Sequence, residues 1–372
     1  MEPLAPHEKI LIDEDFLEGP HGETACVDCH GGNNKEKDWR KAHKGVIRDP
    51  SFPDASKSCG ECHEDIVKNY KKSVHINLHP YYVLIYGRGG GRPAVKDKIN
   101  LAMKNHCSEC HSSCGQCHVS RPDSVEGGFL DGHLFQKRPP QAEVCTACHG
   151  SRIEREYTGK NKGYPADVHY KKGMSCEKCH TGAEMHGTNT IPNHRYLVEN
   201  APRCVKCHKD AASKKSKVLA HRKHSGKLSC YVCHSVAYKN CYSCHVGKDK
   251  KGLPYFKTAK SEMMFKIGLN QKPDKLHPYK YVLLRHVPVS RHTFDFYVKD
   301  ALVDFDKIPT WKMATPHNIQ KLTPQNSQCK NCHTNKEFFL REKDLLPEEK
   351  KANQSVVVPE NILPITIGKK RR

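Results

Sequence analysis

Cys107 to His118 reads CSECHSSCGQCH, two copies of C-x-x-C-H with two residues between them. The same unit recurs as CVDCH (Cys26, Cys29, His30), CGECH (Cys59, Cys62, His63) and CTACH (Cys145, Cys148, His149). It returns as CEKCH (Cys176, Cys179, His180), CVKCH (Cys204, Cys207, His208) and CYVCH (Cys230, Cys233, His234). CYSCH (Cys241, Cys244, His245) and CKNCH (Cys329, Cys332, His333) complete the set. With Cys107, Cys110, His111 and Cys114, Cys117, His118, the ten copies use all 20 cysteines. Two thiols three positions apart lie on one side of a helical turn, where each can form a thioether to a haem vinyl group. The adjacent histidine then reaches the iron as its proximal ligand. A zinc array does not demand histidine after every second cysteine, and a redox dithiol occurs once rather than ten times. No thiol remains for a disulfide or a lipid anchor. The reading is ten covalently attached c-type haems.

That reading accounts for an otherwise anomalous composition. The 372 residues are 36% hydrophobic with a formal net charge of +21, and the mean hydropathy is −0.76. Low hydrophobicity with high charge is ordinarily the mark of disorder. Here porphyrin faces stand in for an aliphatic core. Propionates and ferric irons together would bring the charge to roughly +11. Much of the Lys and Arg excess is thus a counter-charge for cofactors, and nucleic acid is not a sensible partner. Basic clusters at Lys35–Lys44, Lys209–Lys217 and the terminal KKRR read as solvated surface, able to dock an acidic redox partner. No apolar run approaches the ~20 residues of a spanning helix. Residues 1–20 lack the pattern of a signal peptide. Because covalent haem attachment takes place outside the cytoplasm, a targeting segment is inferred to have been removed or omitted. The expected location is periplasmic or extracellular.

Sixteen histidines lie outside the motifs, enough to give every iron a second imidazole. The distal candidates are His21, His43, His75, His133, His169, His186, His221, His224, His286 and His317. His21, His169, His221 and His224 stand so close before a motif that each is expected to cap a neighbouring haem rather than the local one. His286 lies in an apolar extended run, YKYVLLRHVPV. His7, His79, His106, His194, His277 and His292 are left open.

The expected fold class is a multihaem cytochrome c: loops and short α-helices wrapped around stacked haems, with little β-structure. Residues 1–20 read as an extension and 21–245 as a haem-dense core with nine motifs. Residues 246–328 read as a haem-free subdomain or wrapping arm, 329–345 as the tenth haem segment and 346–372 as an extended basic tail. Short helices are expected around each motif, with longer ones over 61–73 and 211–224. Thr315-Pro316 is expected to start a helix carrying His317. The cluster GRGGGRP (Gly87–Pro93) lacks a phosphate-loop arrangement and reads as a mobile loop.

AHRKHSGKLSCYVCH (Ala220–His234), together with TPHNIQ and CKNCH, resembles segments of the octahaem cytochromes related to tetrathionate reductase and hydroxylamine oxidoreductase. The resemblance implies His221 and His224 as distal ligands around the CYVCH haem cluster, and His317 near the C-terminal haem. The chain departs from that family in having ten motifs, no C-x-x-C-K and little sequence after His333. The even motif spacing of decahaem conduits that thread membrane barrels is also absent.

Two functions follow. The first is an electron carrier, with ten bis-histidine haems passing single electrons between redox partner proteins and no substrate at iron; a homo-oligomer or extracellular filament is its variant. The second is an oxidoreductase acting on a small nitrogen or sulfur compound at one open or Lys-ligated haem, with His277, His292 or Tyr297 nearby. The first is preferred, and no catalytic residue is assigned.

Overall fold

A computed structural model describes residues 12–89, 92–107 and 112–363. His7, Cys110, His111, Gly90, Gly91 and the terminal KKRR lie outside the described residues. The chain is loop-rich, about 38% helix and 10% strand. It divides into two compact units that cut across the linear order. One comprises Met1–Pro80, Cys107–Ser151 and His180–Asn200; the other comprises Tyr81–His106, Arg152–Cys179 and Ala201–Arg372.

The first unit has no strand among its described residues. Its motifs sit on short helices, Cys26–His30, Gly115–His118 and Cys145–His149, or on the tight turn Cys59–Glu61. The helix expected over 61–73 runs from Glu64 to Tyr70 and buries Val67 and Tyr70. With Ala55, Pro122 and Val144, these are the buried apolar side chains among the unit's described residues. Polar ties supply the rest. Asp49 accepts from Ser51 Oγ and Ser113 Oγ, each at 2.6 Å, and Ser51 Oγ accepts from the Gly115 N–H at 2.8 Å. The fourth motif is thereby fixed to the Asp49 turn. Gly187, at φ +81°, packs so tightly that a Cβ would stand 2.7 Å from the Asn69 carbonyl. Only glycine suits both the dihedral and the approach, and it places His186 beside the Glu64–Tyr70 helix.

The second unit holds all seven described strands: β1 (Tyr238–Lys239), β2 (Cys244–Lys248), β3 (Pro254–Thr258), β4 (Met263–Met264), β5 (Lys266–Leu269), β6 (Tyr281–His286) and β7 (Trp311–Met313). The largest sheet is antiparallel in the order β5-β6-β7, with Ile267 opposite Leu283 and Leu284 opposite Met313. The run YVLLRH is buried at four successive positions, Val282 to Arg285. Successive strand side chains point to opposite faces, so both faces of β6 are covered. On one, Val282 and Leu284 pack with Trp311, Leu340, Leu345 and Val356. On the other, Leu283 packs with Tyr238 and Ala314, with Tyr231 of the eighth motif against them. The motif-free span 246–328 thus supplies much of the sheet core of this unit.

Several expectations change here. Residues 346–363, read as a basic tail, contribute Val356, Val358 and Leu363 to the interior. Asn353, fully buried, donates to Thr310 Oγ1 and the Glu349 carbonyl while accepting from the Trp311 N–H. The helix expected over 211–224 is confined to Leu219–His224 after a turn at Lys209–Ala212. No helix starts at Thr315-Pro316. Asp167 takes the Ile319 N–H at 2.6 Å, the Asn318 amide donates to the Pro165 carbonyl, and the segment runs extended alongside Ser235. The ninth motif also departs from a helix, because Cys244 and His245 open β2, paired along its length with β3. The GRGGGRP flanks are anchored: Arg88 ends one helix, Pro93 begins the next, and Arg92 donates to the Asp300 carbonyl.

Candidate functional site

The motifs present cysteine sulfurs and a histidine from one turn, and for six of the motif histidines a ring from outside the motifs stands opposite. In the first unit His30 faces His133 with ring centres 6.2 Å apart, His63 faces His21 at 6.4 Å, and His118 faces His186 at 6.1 Å. In the second unit His208 faces His169 at 6.0 Å, His234 faces His221 at 6.1 Å, and His333 faces His224 at 5.9 Å. Each pair joins one motif histidine to one outside the motifs. Two imidazoles bound end-on to one metal, with bonds of about 2 Å and nitrogens about 1 Å from the ring centres, stand about 6 Å apart. The six pairs fit an iron between them. His75 lies close enough to His149 for their charges to repel.

The second ring nitrogens are held in a consistent way. His30 Nδ1 bonds the Ile47 carbonyl at 2.7 Å, His118 Nδ1 the Gln136 carbonyl at 2.7 Å, and His234 Nδ1 the Gln320 carbonyl at 3.0 Å. On the opposing side, His169 Nδ1 bonds Asp167 Oδ1 at 3.0 Å and His224 Nδ1 the Ala220 carbonyl at 2.9 Å. His180 Nδ1 bonds Glu184 Oε2 at 2.8 Å. A proton fixed on Nδ1 leaves the Nε2 lone pair free for a metal, and the acceptor fixes the ring's orientation. Burial lowers the tendency of three of the opposing rings to protonate. His21, His186 and His221 are all pushed down by burial and then by a neighbouring imidazole. His75 is pushed down to about 4 by burial and then by His149. Neutral imidazole is the ligand form.

His286 breaks this pattern. Its Nε2, the nitrogen a metal would need, is 2.9 Å from Glu349 Oε1, and its ring stacks on Trp311 at 5.0 Å. The carboxylate of a buried glutamate occupies the ligand direction, so His286 is hydrogen-bonded to Glu349 in this structure. His79 and His106 likewise use Nε2, toward Asn193 Oδ1 and the Tyr297 hydroxyl. His43 holds Nδ1 on the Trp39 carbonyl at 2.7 Å. His317 lies in the extended segment, its N–H donating to Glu156; the ring facing His333 is His224 rather than His317. His221, expected to cap a neighbouring haem, faces His234 of the motif that directly follows it.

The sulfurs of different motifs also adjoin. Cys59 and Cys114 lie near enough to act on each other's ionisation, as do Cys204 and Cys230. Cys233 and Cys332 share one apolar cluster with Val232, Ile267 and Phe339. The anchoring groups Ile47, Gln136 and Gln320 were invisible in the sequence, because a backbone carbonyl carries no residue identity. Asp167 and Glu184 were legible at best as acidic residues two and four positions from a histidine.

No described helix is long and apolar enough to cross a membrane. A family described as cytochrome c554 and c-prime matches residues 183–235, the stretch holding His186, the seventh and eighth motifs, His221 and His224. This supports a multihaem c-type cytochrome in electron transfer. An uncharacterized protein of Archaeoglobus fulgidus is 24% identical over 230 residues, covering 37% of this chain and 77% of that protein. No solved structure matches.

Proposed function

We propose that the chain is an extracytoplasmic electron-transfer protein carrying ten covalently bound c-type haems with two histidines at each iron, relaying single electrons between redox partner proteins. The observation that carries this reading is the set of six motif-to-outside imidazole pairs, 5.9–6.4 Å apart. Bound haem supplies the one-electron iron couple. The chain holds His30, His118, His169, His224 and His234 through an acceptor on Nδ1, which fixes their tautomer, and sets the local charge that tunes each potential. Iron with two protein ligands has no vacancy for a substrate, which favours relay over substrate chemistry.

The sulfur contacts extend the reading to haem order. Adjoining thioether edges make the second and fourth haems neighbours in the first unit, and chain the seventh, eighth and tenth in the second. Haem count by the pyridine haemochrome assay, with low-temperature EPR and resonance Raman of the oxidised protein, tests the reading. Ten low-spin haems with no response to nitrite, hydroxylamine or sulfite are expected. A high-spin haem that binds one of these would replace the relay with an oxidoreductase.

A further inference from the structure

Three cations of the second unit lie together, Arg88 and Arg285 buried and Lys312 half-buried, with no carboxylate hydrogen-bonded to any of them among the described residues. Arg285 on β6 and Lys312 on β7 are register partners, which brings their Cβ atoms within roughly 5 Å on one face of the sheet. Arg88, at the end of the His79–Arg88 helix, lies near enough to Lys312 to act on its charge. Arg88 is 6% exposed and Arg285 is 9% exposed. Arg88 Nη2 donates to the Ile308 and Pro309 carbonyls, each at 3.3 Å. Among the described residues, its Nε, and both Nε and Nη1 of Arg285, have no acceptor. Burial, followed by the Arg88 charge, pushes the Lys312 ammonium down to about 7. Glu349, the carboxylate that acts on Arg88, is itself engaged by His286.

Buried guanidinium donors are normally satisfied, and a missing partner in a native fold points to a water, ion or ligand. Water would serve the donors but not the charge, and unpaired buried charge is the costlier defect. The guanidinium fork matches carboxylates and related oxyanions. A carboxylate source lies close by. The Cys241 N–H donates to the His286 carbonyl at 3.1 Å, and the His286 N–H donates to Asn240 Oδ1 at 3.2 Å. The ninth motif thus begins beside the residue that follows Arg285.

We propose that Arg88, Arg285 and Lys312 form a buried site for an oxyanion of carboxylate type, supplied in the first place by a propionate of the haem attached at Cys241 and Cys244. That source rests on the haem reading; the site itself does not.

The test uses the full-length haem-loaded protein. Spectroelectrochemical titration compares wild type with Arg285→Gln, Lys312→Gln and the charge-retaining Arg285→Lys. Calorimetry with inorganic phosphate and with sulfite is run in parallel. With a propionate in the site, Gln at either position moves one of the one-electron components to more negative potential, because losing a nearby cation favours ferric iron. Arg285→Lys keeps that component near its wild-type value, and neither anion binds. With a free oxyanion, wild type binds phosphate or sulfite, Arg285→Gln weakens binding at least tenfold, and the potentials stay put. Unchanged potentials together with no anion binding overturn the site. Should Arg285→Gln fail to mature, Arg88→Gln is read in the same way. A wild-type chain without haem would overturn the electron-transfer reading, while the anion titration would still report on the site.

Discussion

The two units solve the same problem by different means. In the first, Ala55, Val67, Tyr70, Pro122 and Val144 are the buried apolar side chains among the described residues, and three motif histidines, His30, His63 and His118, line up with rings from other segments. In the second, a three-stranded sheet is covered on both faces by Leu283, Leu284, Trp311, Leu340 and their neighbours, and the motifs pack against that core. A polypeptide can omit its aliphatic core where a cofactor takes its place. On the function proposed above, haem would be structural in the first unit and partly additional in the second.

The largest expected effect follows from removing haem altogether. Chain expressed without haem attachment should lose amide-exchange protection throughout the first unit. β5, β6 and the buried segment around Val356 and Val358 should retain part of theirs. Hydrogen-exchange mass spectrometry checks this, and equal loss in both units would erase the distinction.

A smaller effect is expected from Leu340→Ala. Leu340 is fully buried between β5 and the Val358 strand-like segment, and truncation there should cost about 2–5 kcal/mol. Denaturant unfolding of the holoprotein should show that loss in a transition of the second unit, with the haem spectra of the first unchanged. A loss shared by both would mean that they unfold as one. The smallest effect is electronic. Asp167, 1% exposed, holds His169 Nδ1. Asp167→Asn should make the imidazole a weaker donor and shift one haem component to more positive potential, read by spectroelectrochemistry. An unchanged set of potentials would reduce Asp167 to a backbone tie for Ile319.

The sequence made the motifs legible because covalent chemistry dictates their spacing, and YKYVLLRHVPV was readable as an apolar extended run, though not as the centre of a sheet. Ring partners were another matter. His30 and His133, or His118 and His186, are separated by whole motifs, and nothing local says which meets which. His286 sat in an inward-facing run as a ligand should, yet its partner Glu349 arrives from residues read as tail. PEEKKANQ disguised that tail, since its charges precede the buried Val356 and Val358. The ninth motif became a strand because β3 offers Cys244 and His245 a hydrogen-bonded partner, a tertiary choice that overrides the local preference for a turn of helix. Arg88, Arg285 and Lys312 looked like three more surface cations on a chain of formal charge +21.

The central claim is that the 6 Å histidine pairs, and not merely any histidine near a motif, hold the irons. Low-temperature EPR of oxidised His133→Ala and His286→Ala tests it most directly. The account predicts that His133→Ala converts one low-spin haem to high spin while His286→Ala leaves every haem low-spin. A His133→Ala spectrum identical to wild type, or a new high-spin signal in His286→Ala, would contradict it.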